Sequence, residues 1–278
     1  MKVIRFRDRV GTVCYGTPQT NGTARKIQGD IFSEFISTDE EVEISKILAP
    51  IMPSQILCIG LNYRFHATEC GLKVPEFPIL FTKGTNAVQH PNDPIEIPRA
   101  LPTTEVDYEA ELAVVIGHEC RNVKRTKAMD HVLGYTCAND VSARDWQLKK
   151  GGGQWCRGKT FDTFLPLGPS LVLKDGIPDP HRLGIRCNVN GLEVQNWKTD
   201  DMIFEIPDLI EFLSASTTLV PGTVILTGTP HGVGMSRKPP LWLKAGDTVA
   251  IEIDAIGSLE NPVIDEVIVE ETFSPGNN

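Results

Sequence analysis

The segment Glu105-Val106-Asp107-Tyr108-Glu109-Ala110-Glu111-Leu112-Ala113-Val114-Val115-Ile116 constrains the fold more than any other stretch of the chain. Read as a strand, its side chains alternate between two faces. Glu105, Asp107, Glu109 and Glu111 then share one face, ~7 Å apart in succession, and Val106, Tyr108, Ala110 and Leu112 share the other. The strand runs on into residues 113–116, which read as core. A row of like charges entering a core is costly unless a cation sits among them. A solvated acidic face is the ordinary alternative, and the spacing alone leaves both open. Carboxylate oxygens suit hard ions such as Mg²⁺, Ca²⁺ or Mn²⁺ better than zinc or copper.

Segments of strand character recur at 56–59, 79–81, 110–116, 170–173, 185–189, 224–227, 248–253 and 263–269. Turns rich in the chain's 24 Gly and 20 Pro separate them. Helical patterns are few, at 126–132, 142–149 and 206–216. Residues 1–50 look like a small β-rich lobe, with turns at Gly11, Gly16, Asn21-Gly22 and Gly29-Asp30, closed off by Pro50 and Pro53. The expectation is an α+β, β-rich fold: a small N-terminal β lobe over 1–50, and a mixed sheet or β-rich barrel over 51–278.

The 278 residues carry 27 Lys and Arg against 36 Asp and Glu, a net charge of −9. That balance argues against nucleic acid as the main partner, since phosphate contacts need a basic surface. An anionic small molecule would have to be attracted locally, against the global field. Seven cysteines lie scattered at 14, 58, 70, 120, 137, 156 and 187, with no C-x-x-C pair. They read as reduced thiols in a cytoplasmic setting. Arg5, Arg7 and Arg9 could hint at an organellar presequence. Ile4 and Phe6 alternate with them, however, and Asp8 interrupts them, which reads better as a strand entering a turn. No apolar run nears the roughly 18 residues of a membrane span.

Other stretches carry candidate chemistry. Asn62 could cap a short helix that Gly71 ends. On such a helix His66 and Glu69 are neighbours, and the carboxylate would orient the imidazole and raise its basicity for acid–base work. Surface decoration is the rival role. Asp140 closes an apolar segment before a helical pattern, so it is either an N-cap or a third metal carboxylate. Arg144 and Gln147 share a helix face and could reach one ligand, with a structural ion pair the alternative for Arg144. Gly153-Gln154-Trp155-Cys156-Arg157-Gly158-Lys159-Thr160 spells a G-x-x-x-x-G-K-[ST] phosphate loop. No strand precedes it, and Pro166 and Pro169 discourage a following helix, so a nucleotide site is disfavoured. Lys159 reads instead as a partly buried cation facing a substrate carboxylate or oxyanion, or as a plain surface lysine. The loop from Thr227 to Gly234 offers backbone N–H groups and the Thr229 hydroxyl to an anion, or is a tight structural turn.

In family order, five motifs resemble the fumarylacetoacetate hydrolase family. They are Gly60-x-Asn62-Tyr63 with His66 and Glu69, Asp107-Tyr108-Glu109-x-Glu111-Leu112, Asn139-Asp140-x-Ser142-Ala143-Arg144-Asp145, Gly158-Lys159-Thr160-Phe161-Asp162-Thr163-Phe164, and Thr227-Gly228-Thr229-Pro230-x-Gly232-Val233-Gly234. The resemblance covers roughly residues 54–270. It implies a mixed β-sandwich-roll catalytic domain, usually in a homodimer, with Mg²⁺ or Mn²⁺ held by Glu109, Glu111 and Asp140. It further implies that Lys159 faces the substrate and that His66 and Glu69 form an acid–base dyad on a lid. Arg144, Gln147 and Thr229 would contact substrate carboxylate or carbonyl groups. Residues 154–240 look most like the branch associated with oxaloacetate keto–enol tautomerisation. Other branches hydrolyse acylpyruvates, decarboxylate oxaloacetate, or isomerise and decarboxylate catechol-pathway diacids. The implied partner is a small anionic 2-oxo acid, a 2-oxo dicarboxylate or 2,4-dioxo acid, with neither nucleic acid nor membrane.

Overall fold

The computed structural model describes residues 1–268. Ala110–Ile116 is a central strand, all seven residues buried, paired antiparallel with Val132–Asn139 on one side and Thr223–Leu226 on the other. A strand covered on both faces reads as an unbroken apolar run, as 112–116 does. Thr223–Leu226 pairs in parallel with Gln55–Gly60, which pairs antiparallel with Ile79–Thr82, so the sheet is mixed. On its other flank Val132–Asn139 pairs with Leu165–Leu173. Lys2–Arg7 continues the sheet from there into the antiparallel strands Val13–Pro18, Thr23–Gly29 and Phe35–Glu43. This N-terminal part keeps a small cluster of its own, built from Ile4, Phe6, Cys14 and Ala24.

A second sheet has 5 strands, in the order Leu192–Lys198, Gly184–Val189, Thr248–Ile253, Gly257–Asp265 and Ile95–Ile97. Thr248–Ile253 turns Val249, Ile251 and Ile253 inward, alternate residues of one strand. Gly184–Val189 and Thr248–Ile253 pack on Ala110–Ile116, and Gly257–Asp265 packs on Leu165–Leu173, so the core lies between the two sheets. The result is the β-rich α+β sandwich roll that the motifs imply. Among the described residues helices are short, and the longest, Ile206–Ser214, opens with a capping box between Glu205 and Asp208. Among the described residues no helix is long and apolar enough to cross a membrane.

The structure departs from the sequence reading at several points. The acidic strand is cut: Val106–Asp107 pairs with Ser142–Ala143 in a separate two-stranded ribbon, and Tyr108 and Glu109 lie between that ribbon and Ala110, outside both ladders. Strict alternation therefore stops at Asp107. Residues 142–149 are not one helix. Ser142–Ala143 is a strand, and a wide π-helical turn runs over Asp145–Lys150. The strand read at 170–173 begins at Leu165 despite two prolines. Pro169 falls where the register to Val132–Asn139 shifts, and there it removes little of the ladder. The helical pattern at 126–132 yields only Arg125–Ala128 and a 3₁₀ turn over Met129–His131. Leu192–Lys198 is a strand with no forewarning in the pattern. The last strand ends at Asp265, and the part of its expected span at Val269 lies outside the described residues.

Gly134 shows how closely the main strands approach. A Cβ there would come within 2.2 Å of the Val172 carbonyl oxygen. Gly134→Ala is expected to cost about 1–3 kcal/mol, read as a lower urea midpoint with an unchanged slope.

Candidate active site

The change of pairing partner at Tyr108-Glu109 builds the site. The register Ala110↔Asn139 places Asp140 beside Glu109. The Asp140 N–H donates to Glu109 O at 2.9 Å, and the Glu109 N–H donates to Asn139 Oδ1 at 3.0 Å. One carboxylate oxygen each from Glu109, Glu111 and Asp140 lies within 4.8 Å of the other two, and all three residues are buried. Asp140 is not an N-cap, since the helical turn starts only at Asp145.

Two cations meet this group. Lys159 is 1% exposed, and its Nζ donates to Glu109 Oε2 at 2.7 Å and Asp140 Oδ2 at 2.8 Å. Burial works against its charge, but Asp140 and Glu109 outweigh burial and raise its pKa. The phosphate-loop spelling thus hides a different structure. Gly152 and Gly153 make a positive-φ turn, and the short helix Cys156–Lys159 delivers the ammonium to carboxylates rather than to phosphate. Arg144 places Nη2 2.9 Å from Asp107 Oδ2 and 2.7 Å from Glu109 Oε1, and its Nη1 donates to Gln147 Oε1 at 3.0 Å. Asp107 is fixed in turn by the N–H groups of Gly234 and Met235. Burial alone would lift the Glu109 carboxyl, yet Arg144 and Lys159 hold it well below the usual range. Glu111 is different. Its Oε2 accepts from the Gly228 N–H at 2.7 Å, and burial with the charges of Asp140 and Glu109 pushes its pKa well up.

A third buried cation, Lys83, is marked by no motif. Its only sequence signal is a lysine ending the apolar strand Ile79–Thr82 just before a glycine. Its Nζ lies 2.7 Å from Asp140 Oδ1 but donates to the carbonyls of Val141, Phe164 and Lys159. An ammonium has three N–H bonds, so all are committed. Asp140 Oδ1 is left buried beside a charge with no hydrogen bond directed at it. Burial lowers the Lys83 pKa. An orphaned carboxylate oxygen, next to a carboxylate that draws only a backbone N–H, is an all-oxygen donor set that fits a hard divalent cation.

A cavity of about 360 Å³ gathers seven of the nine predicted residues: His66, Glu109, Glu111, Arg144, Gln147, Lys159 and Thr229. Its apolar wall includes Ile59, Phe81 and Trp155. Gly60 is required there, because a Cβ would lie 2.3 Å from the Trp155 ring. Asp140 and Glu69 stand one layer back. His66 and Glu69 belong to the helix Arg64–Glu69, ended as expected by Gly71 at φ +67°. Asn62 does not cap that helix, because its side chain spans the carbonyls of Thr227 and Phe204 instead. His66 Nδ1 is 2.7 Å from Glu69 Oε1. Burial opposes its charge, but Cys70 and Glu69 overcome this and push its pKa up to about 9. The anions served by the Thr227–Gly234 loop are the protein's own: Gly228 binds Glu111, and Gly232 donates to both oxygens of Glu69 at 3.0 Å. Thr229 Oγ1 accepts from Gln195 Nε2 at 2.8 Å, which leaves its proton free for the cavity.

With this geometry in hand, residues 55–264 match the family described as fumarylacetoacetate (FAA) hydrolase C-terminal, and residues 1–50 match that described as Rv2993c-like, N-terminal. The chain belongs to the fumarylacetoacetate hydrolase family. It is an enzyme of that family by its similarity to named members. A protein of Xenopus laevis named oxaloacetate tautomerase, mitochondrial, is 58% identical over 78% of this chain and 68% of its own. The crystal structure of 2-hydroxyhepta-2,4-diene-1,7-dioate isomerase from Mycobacterium marinum is 38% identical, with a TM-score of 0.81 over 96% of this chain and 100% of that one. Fumarylacetoacetate hydrolase from Exiguobacterium antarcticum is 34% identical, with a TM-score of 0.82 over the same 96% and 100%. The cytoplasmic location read from the cysteines is corrected here, because the frog relative is named mitochondrial. Reduced thiols separate reducing from oxidising compartments and do not single out the cytoplasm.

Lys83→Met would strip Asp140 Oδ1 of its neighbouring ammonium, leaving Asp140 to Lys159 alone, and would leave the carbonyls of Val141, Lys159 and Phe164 without their donor. It is expected to cost about 3–5 kcal/mol, measured by urea denaturation of the metal-free protein.

Proposed function

We propose that this chain is a divalent-metal-dependent enzyme that moves a proton at C3 of a 2-oxo dicarboxylate, and that its reaction is oxaloacetate keto–enol tautomerisation. The observation that carries the proposal is the meeting of a three-carboxylate group, two buried cations and a carboxylate-oriented imidazole around one cavity. The similarity to the frog tautomerase supports the choice of oxaloacetate. Mg²⁺ or Mn²⁺ held by Glu109, Glu111 and Asp140 would supply Lewis-acid stabilisation of enolate charge. Arg144, Gln147 and the free Thr229 proton bind substrate carboxylate and carbonyl oxygens. Lys159 holds positive charge where the oxyanion develops. His66, oriented by Glu69, takes the C3 proton and later returns one to the substrate. The apolar wall of Ile59, Phe81 and Trp155 limits water around the reacting carbon. A second reading, C–C hydrolysis of an acylpyruvate, draws on the same dyad, which would activate water against a 4-oxo group.

The test follows the enol absorbance of oxaloacetate and of an acylpyruvate in the metal-replete enzyme. Mg²⁺-dependent conversion of oxaloacetate is expected, and inactivity on both substrates overturns the proposal. His66 acts as a base only when neutral, and its pKa is raised to about 9. Therefore kcat/KM should climb with pH toward about 9 in both directions of the tautomerisation. Glu69→Gln removes a hydrogen bond that favours the imidazolium, so it should move that limb to lower pH. Mg²⁺ at 100 times its Kd should stabilise the wild type by about 2.7 kcal/mol. In Glu111→Gln, thermal denaturation should show most of that gain lost.

A further inference from the structure

The helix that carries His66 brings a second, chemically different donor set to the cavity. His66 and Cys70 are four residues apart and Glu69 three, the spacings that place side chains together on a helix. The Cys70 sulfur lies 3.9 Å from His66 Nδ1 and 4.0 Å from Nε2. One donor atom from each of His66, Glu69 and Cys70 lies within 4.8 Å of the other two. His66 and Cys70 both line the cavity, so a small ion has access to them. A tetrahedral ion with metal–nitrogen and metal–sulfur bonds of about 2.0 and 2.3 Å holds those two ligands roughly 3.5 Å apart. The observed pair needs to close by only about 0.5 Å to reach that separation.

The donor chemistry separates this set from the all-oxygen one. Imidazole nitrogen and thiolate sulfur select borderline-soft cations, whereas Glu109, Glu111 and Asp140 suit hard ones. Cys70 raises the proton affinity of His66 but itself gives or takes no proton in the transfer proposed above. Glu69 accepts from Nδ1 and thereby directs a metal to Nε2 once the ring is neutral, the arrangement in which a carboxylate orients a metal-ligating histidine.

We infer that His66 and Cys70, with Glu69 orienting the ring, form an inhibitory site for a Zn²⁺-class cation, distinct from the three-carboxylate site. Binding forms a bond from the metal to Nε2 and another to Sγ. The Cys70 S–H proton leaves to solvent, as does the Nε2 proton wherever the ring is protonated, below about pH 9, and no electrons are exchanged. The remaining coordination positions face the cavity, where water fills them. A metal on Nε2 occupies the lone pair that must accept the C3 proton. This loss of activity rests on the acid–base role given to His66, whereas the binding itself does not.

The test uses the full chain at saturating Mg²⁺, titrated with Co²⁺ and then with Zn²⁺. One equivalent of Co²⁺ should produce a thiolate-to-cobalt charge-transfer band, which Zn²⁺ displaces. Cys70→Ser should abolish the band and weaken Zn²⁺ binding by about tenfold or more. Cys156→Ser, which changes another partly exposed thiol, should retain both. Zn²⁺ should inhibit the wild type without relief by excess Mg²⁺, each variant being compared with its own zinc-free rate. A band that persists in Cys70→Ser, or that never forms in the wild type, overturns the site. Inhibition relieved by Mg²⁺ and unchanged in Cys70→Ser places the zinc on the carboxylates and overturns it equally. A Cys70-dependent band without inhibition keeps the site and removes the acid–base role of His66.

Discussion

The ammonium of Lys159, wedged between Glu109 and Asp140 at the buried floor of the cavity, is the contact on which the rest of the site depends. Burying any of these charges alone would cost several kcal/mol. Together they stand only because three chain segments converge: the break after Asp107, the end of Val132–Asn139, and the short helix at Cys156–Lys159. The first two are held by strand pairing that begins outside the site, and the end of the helix by Lys83 Nζ on the Lys159 carbonyl. The carboxylates are therefore fixed by the sheets and the cations by the connecting turns, and the charges meet where those two kinds of structure join.

Counting the buried charges resolves the problem posed by an acidic protein and an anionic substrate. Asp107, Glu109, Glu111 and Asp140 face Lys83, Arg144 and Lys159, four acids against three bases. The excess is one negative charge, concentrated on a Glu111 that the surroundings already bias toward its protonated form. One divalent ion reverses the local sign without altering the acidic exterior. Under the proposed function the global field would then select against polyanions, while the cavity would accept a small anion.

Much of this was legible in the sequence, for physical reasons that differ by residue. The strand was readable from residues 112–116 because a segment buried on both faces reads as an unbroken apolar run, and Gly71 because a helix end often needs a positive φ. Glu109, Glu111 and Asp140 stood out because acids next to core residues are costly and need a reason. Lys83 did not stand out, since a single lysine at the end of a strand looks like any solvated terminus until tertiary packing closes over it. Gln195 was equally hidden. Its side chain joins Ala110 N to Thr229 Oγ1 and Pro230 O across the two sheets, a role only the packed fold creates. The break at Tyr108-Glu109 was missed because alternation describes a strand and carries no signal for where pairing partners change.

Glu69 has two obligations, one to the imidazole of His66 and one to the amide of Gly232. The two contacts fall on one carboxylate, so the amide that anchors Glu69 also fixes, through Glu69, how the imidazole is aimed and how strongly it holds its proton. A change in the Thr227–Gly234 loop, which does not itself touch the ring through this amide, would therefore be felt at the imidazole.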